Sequence, residues 1–398
     1  MLKNIFKKIG IILIELALIG GALWFIAQKR GIENFSQIIP ALDQKSEKQE
    51  KETDLFPELY QPVKKDFSWK YKNIKYELSL NMDQGAYEYY KKQQKTYSYS
   101  AELPQNWEEE YYGMFLNVNS KDKTIENLSQ EIKILGEKHN LNDDQIVDLI
   151  LAFVQSIEYD DAKAKNILDQ TGKETMLRPY EILYEQKGVC SDKSLLAVAL
   201  LRQLGYGAAI FTYPQENHMA IGVECPKDYS TYGSGYCYAE TTAVGNRIGI
   251  IPSIDPSSNK TVVAKELSML NTEQIQQINL RQLGQVMIFQ KTSGKQYLGI
   301  VETKKISDEI DLLKQRIDAM FLQLKNQQKK IDEDKKQLEK LKDDLDDHRK
   351  DQNVEKYNSL VEKYNDMLET YKKDVTKYNN DAALYNKSIA RYNILIKQ

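Results

Sequence analysis

Successive changes of hydrophobic period divide this chain. From Ile9 to Ala27 almost every position is apolar, whereas Gln28 to Asp54 is built mainly from Lys, Glu, Gln and Ser. The first stretch predicts one long apolar helix; the second has too few apolar residues to pack and reads as a tether. Alternation from Trp69 to Leu80 predicts a strand pair, and Tyr87, Tyr89 and Tyr90 open a helix. Apolar residues from Ile125 to Leu135 recur at helical spacing, and Asn142 with Gln145 has the form of a capping box for a helix through Ile157. From Leu195 to Leu204 nearly every residue is Leu, Ala or Val, so that helix is apolar on all sides and is expected to be buried, with Gly205 as its cap. Three short strands follow at Ala208–Tyr213, His218–Cys225 and Tyr236–Thr242, and Val286–Phe289 with Tyr297–Val301 is expected to form a last pair.

From Ile306 the period becomes seven. Ile310, Ile317, Leu324, Ile331, Leu338 and Leu345 form one series, with Ile306, Leu313, Met320 and Leu341 at the companion position. A second series, Tyr357, Tyr364, Tyr371, Tyr378, Tyr385 and Tyr392, is out of phase with the first and separated from it by the polar run Asp346–Asn353. Two arms of about 45 residues, each roughly 65 Å long, predict an antiparallel helical hairpin with a tyrosine-rich seam. The expected organisation is residues 1–8 cytoplasmic, 9–27 a transmembrane helix, 28–54 a linker, 55–303 one α+β domain and 304–398 the coiled-coil hairpin.

Charge adds an exclusion. The 55 basic and 58 acidic residues nearly cancel across 398 positions, so there is no electrostatic case for nucleic acid. Lysines 3, 7 and 8 precede the apolar span and Lys29 and Arg30 follow it, a slight bias toward a cytoplasmic N-terminus. A cleaved signal peptide is the competing reading, but cleavage after Ala22 would leave Leu23–Ile26 exposed at the new terminus, which favours an uncleaved anchor. Glu15 costs about 2–3 kcal/mol if it sits charged near the middle of that span.

The candidate chemistry lies at Gly188-Val189-Cys190-Ser191-Asp192, where a loop meets the buried helix. A cysteine on that first turn meets unpaired N–H groups and the positive end of the helix dipole, both of which favour a thiolate. Only His139, His218 and His348 can serve as a base, and His218 alone lies on a core-like strand. Glu240, on the next strand, is placed to fix the imidazole tautomer. The stretches Arg178–Leu183, Gly188–Ser194, Asn217–Val223 and Tyr238–Thr242, with Leu151–Tyr159 upstream, resemble the transglutaminase-like superfamily of papain-type cysteine enzymes. That resemblance implies a helical layer on an antiparallel sheet, with Cys190 as nucleophile, His218 as base and Glu240 as orienting acid. Much of the superfamily has Asp at the third position, one methylene shorter.

Other arrangements compete. Asp255, in a loop rich in Pro and Ser, is a lesser third member. With His218 directly opposite Glu240, Cys237 falls opposite Ile221, four residues from Cys225, so a Cys225–Cys237 disulfide competes with the triad. A zinc site from Cys190, Cys225, Cys237 and His218 lacks any C-x-x-C spacing, and Gly172-Lys173 lacks the earlier glycine of a phosphate loop. No cofactor or metal is expected. The expected function is a membrane-anchored, extracytoplasmic cysteine enzyme acting on amide bonds of a protein or peptide-containing surface polymer, as peptidase or amidase rather than crosslinker. The alternative is a non-catalytic surface module whose coiled coil binds a partner or self-associates.

Overall fold

A computed structural model describes residues 42–44, 56–58, 61–100, 102–169, 174–255, 260–262, 281–350 and 353–396. The expected span at 9–27 and almost all of the tether lie outside them. Among the described residues, no helix is long and apolar enough to cross a membrane.

The elements run β1 (Leu42–Gln44), β2 (Pro62–Tyr71), β3 (Ile74–Asp83), α1 (Gln84–Lys92), β4 (Tyr97–Tyr99), α2 (Trp107–Leu116), α3 (Thr124–Lys138), α4 (Asp143–Ser156), β5 (Glu158–Tyr159), α5 (Asp161–Leu168), α6 (Pro179–Glu185), β6 (Lys187–Gly188) and α7 (Cys190–Gln203). They continue with β7 (Ala208–Tyr213), β8 (His218–Glu224), β9 (Tyr236–Ala239), β10 (Ser253–Asp255), β11 (Lys260–Val262), β12 (Arg281–Gln282), β13 (Met287–Phe289), α8 (Ile300–Lys350) and α9 (Val354–Leu395). Helices mix with largely antiparallel sheets, an α+β fold. The chain divides into two compact units.

The first unit comprises residues up to 224 with 238–245 and 284–296. At its centre is α7, in which every residue from Asp192 to Leu201 is buried. It packs on β7 and β8 on one side and on α3 and α4 on another. The sheet order is β13-β7-β8-β9; β7 and β8 are antiparallel with Tyr213 opposite His218. α4 begins with the capping box that its sequence predicts, Asn142 Oδ1 accepting from Gln145 N at 2.9 Å. It packs against β2, where Phe67 and Trp69 meet Phe153 edge to face. Two residues of β5 pair in parallel with β6, Tyr159 opposite Gly188, which ties the end of α4 to the loop before Cys190.

Two strand expectations change. Tyr297–Val301 is not a strand, because α8 already starts at Ile300 and buries Ile300 and Thr303 at helical spacing. Met287–Phe289 pairs with β7 instead. The strand expected to reach Thr242 ends at Ala239, because Thr241 and Thr242 turn their backbone N–H groups onto the Glu240 carboxylate.

The second unit comprises residues 225–237, 246–283 and 297–398. Its helices α8 and α9, 51 and 42 residues long, run antiparallel. The contacts Glu309–Arg391, Phe321–Tyr385, Gln327–Asp381 and Lys330–Asp374 descend one helix as they ascend the other. Leu324, Ile331 and Leu338, successive members of the seven-residue series, are buried between them. In the same unit Cys225 and Cys237 are joined in a disulfide, Cα–Cα 5.8 Å. This corrects the expectation that the disulfide competes with the His218–Glu240 pair, since both are present. The Cys225 amide donates to the Gly235 carbonyl, which places Cys237 within two residues of the position facing Cys225. Glu240 stands beyond the last strand residue and reaches its partner through its side chain, so the direct His218–Glu240 register is not required.

Candidate active site

Val189 is the N-cap of α7 and Cys190 its first residue. An amide at that position has no intrahelical acceptor, and the helix dipole favours negative charge there. The turn before it is closely packed around Gly188. A Cβ on Gly188 would stand 2.8 Å from Ile182 Cδ1 and 3.0 Å from Asp192 Cβ. Asp192 locks the turn: Oδ2 accepts from Val189 N at 2.9 Å and Lys163 Nζ at 2.8 Å, and Oδ1 accepts from Leu177 N at 2.7 Å. Burial pushes the Asp192 carboxyl up, while Lys163 and the two amides hold it down. Cys190 itself is only half-buried, and it is the free cysteine of the three.

His218 opens β8, turned into the strand by Asn217 in the left-handed conformation, φ 46°. Its ring is buried, with Nε2 3.0 Å from Glu240 Oε2. Cys190 acts on the same ring and raises its proton affinity. With Nε2 on Glu240, Nδ1 is the ring nitrogen that the carboxylate does not engage.

Glu240 is fully buried, and both its carboxylate oxygens are satisfied. Oε2 also accepts from Tyr238 Oη at 2.6 Å. Oε1 accepts from Thr241 N at 3.0 Å, Thr242 N at 2.8 Å and Thr242 Oγ1 at 2.6 Å. Burial alone would raise this carboxyl; the His218 charge and hydrogen bond, then Thr242 and Tyr238, bring it down to about 2. For His218, burial lowers the value, but Glu240 and the Cys190 hydrogen bond outweigh it and raise it to about 10. The pair therefore favours carboxylate and imidazolium.

The structure thus joins His218 and Glu240 by a hydrogen bond, and Cys190 acts on the same ring. Asp255 ends β10, and its side chain lies outside the described residues. The zinc arrangement is not assembled, since two of its four ligands are bonded to each other. Among the described residues no group of three or more His, Cys, Asp or Glu is placed to hold a metal ion.

Residues 123–230 match the transglutaminase-like domain family DUF553. The match begins beside the first residue of α3, takes in Cys190 and His218, and stops before Glu240. No curated protein and no solved structure matches the chain.

Other residues complete the surroundings of Glu240. Alternation places Tyr238 on the strand face of Glu240, whereas the parts played by Gln155 and Lys193 were not expected from the sequence. Gln155 Nε2 donates to the Glu240 carbonyl at 2.9 Å, and its Oε1 accepts from Gly245 N at 2.9 Å. Lys193 Nζ donates to the carbonyls of Gln155 at 3.1 Å and Ile157 at 2.8 Å. Its sequence signal is a lysine on the first turn of a helix expected to be buried on all sides.

Proposed function

We propose that this chain is a thiol acyl-transfer enzyme that cleaves amide bonds through Cys190, His218 and Glu240. The observation that supports the reading is His218, one buried ring hydrogen-bonded to the Glu240 carboxylate and raised in proton affinity by both Glu240 and Cys190. In the first half-reaction the Cys190 thiolate adds to the amide carbonyl. The Cys190 backbone N–H, free of helical pairing, faces the developing oxyanion. Collapse breaks the C–N bond as His218 passes its proton to the leaving amine, and a thioester remains. Water then attacks the thioester, giving its proton to His218, and the C–S bond breaks to restore the thiol centre. Glu240 keeps the ring oriented and offsets the imidazolium charge throughout.

Hydrolysis is the favoured outcome because water needs no binding site for a second polymer chain. Export of the domain beyond a membrane held by residues 9–27 is part of the proposal, and the Cys225–Cys237 disulfide supports an oxidising compartment. The substrate proposed is a protein or peptide-containing surface polymer. In the full chain, release of amine from a panel of peptide amides should vanish on Cys190→Ala with the circular dichroism unchanged. Turnover that survives that substitution would sink the proposal. The long antiparallel pair α8–α9 favours a second role in holding a partner or another copy. A chain truncated before Ile300 that retains turnover but loses surface assembly would assign that role to the helices.

A further inference from the structure

Lys193 lies one turn beyond Cys190 on α7, and its side chain is completely buried. Its ammonium donates to the carbonyls of Gln155 and Ile157 at the C-terminal end of α4, and the Gln155 side chain in turn donates to the carbonyl of Glu240. A cation suits the last carbonyls of α4, at the negative end of its dipole. The charges of the site give it a second role. Glu240 is a buried anion. Whether the shared proton sits on Cys190 or on His218, the three triad residues together carry one net negative charge. A buried cation one turn along α7 from Cys190, linked through Gln155 to the Glu240 carbonyl, brings that sum to zero.

We propose, on the reading that Cys190 is the nucleophile, that Lys193 is the counter-charge of the triad, a positioning residue that keeps Glu240 ionised and favours the Cys190 thiolate. Glu240 and Cys190 are the charged groups that act on the Lys193 ammonium. Asp192, its neighbour on α7, is already paired with Lys163, and Tyr159, which senses Cys190, stays neutral because burial and that thiol raise it. Burial brings Lys193 down to about 8, with Glu240 and Cys190 opposing, so the charge is present at neutral pH and lost in mild alkali.

The test is the rate of Cys190 alkylation by iodoacetamide in the disulfide-intact full chain, followed from pH 5 to 10. Lys193→Met should slow alkylation about tenfold at pH 6–7 and shift the midpoint of the profile up by roughly one unit. Lys193→Arg, which keeps the charge, should restore most of the rate. A purely structural lysine would lower the melting temperature of the Met variant and leave its profile in place, and that result overturns the proposal. Should the Met variant not fold, the wild-type His218 Cε1 proton resonance serves instead. It should record a second titration step near pH 8, and absence of that step overturns the proposal. A His218→Ala chain that alkylates as fast as wild type refutes the nucleophile reading itself; a Lys193→Met chain that does so refutes the counter-charge alone.

Discussion

Replacing Glu240 by Gln separates the charge of the third residue from its shape. The carboxylate makes two kinds of contact: Oε1 takes three donors from Thr241 and Thr242, and Oε2 faces Tyr238 Oη and His218 Nε2. A glutamine can keep its oxygen toward the threonines, leaving its NH₂ on the His218 side. An NH₂ there donates to Nε2, so the ring proton is forced onto Nδ1, and no ring nitrogen is left free to take the thiol proton. The imidazolium also loses its partner, and burial is then opposed by Cys190 alone, so His218 falls from its raised value. Breaking one hydrogen bond to a charged group costs about 1.5–3 kcal/mol, or roughly 10- to 150-fold in the thiolate population. Loss of amide turnover should be larger, approaching ~10⁴-fold where a triad is held in the wrong tautomer. The assay is iodoacetamide alkylation at pH 7 in the native chain, with urea denaturation run in parallel. A Glu240→Gln chain that folds and alkylates at the wild-type rate would refute the assignment of Glu240.

Other consequences can be measured on the same preparation. His218 is raised in the fold, so its contribution to stability is complete below about pH 6.5 and is lost as pH climbs toward about 10. Glu240 is lowered, so its contribution is present above about pH 4.5 and is lost as pH falls toward about 2. The difference in urea midpoint between wild type and Glu240→Gln should therefore be greatest near pH 4.5–6.5; a difference that does not vary with pH would contradict the pairing. Gly188→Ala forces a Cβ against Ile182 and Asp192 and should cost about 1–3 kcal/mol while slowing alkylation of Cys190. Reducing Cys225–Cys237, whose members are 12 residues apart, should lower stability by about 2–3 kcal/mol. Thiol counting should then rise from one group to three, and a native chain that already titrates three would contradict the disulfide.

What the sequence made legible was local. The capping box at Asn142, the all-apolar run after Cys190 and the alternation around His218 each arise from neighbours in the chain, and each appears in the fold where expected. Of the three residues singled out for chemistry, His218 and Glu240 share a hydrogen bond and Cys190 acts on the same ring. What escaped depends on packing between distant segments. The parallel pairing of Glu158–Tyr159 with Lys187–Gly188 involves two residues a side, too few to leave a period. Lys193 and Gln155 are polar residues within apolar helices, and their use is visible only once α4, α7 and Glu240 are brought together. The disulfide was misjudged because an ideal ladder was extended to residues that lie just past the ends of their strands. Tyr297–Val301 illustrates the usual ambiguity of a short apolar run, resolved here by the long helix that absorbs its second half.

Cys190 reactivity with and without His218 decides whether this is a thiol enzyme. Iodoacetamide should alkylate Cys190 of the wild-type chain at pH 6 far faster than a free thiol of pKa about 8.5, and His218→Ala should remove at least about tenfold of that rate. A Cys190 that reacts no faster than a free thiol, or one indifferent to His218, would make the triad a structural remnant and turn attention to the helical pair.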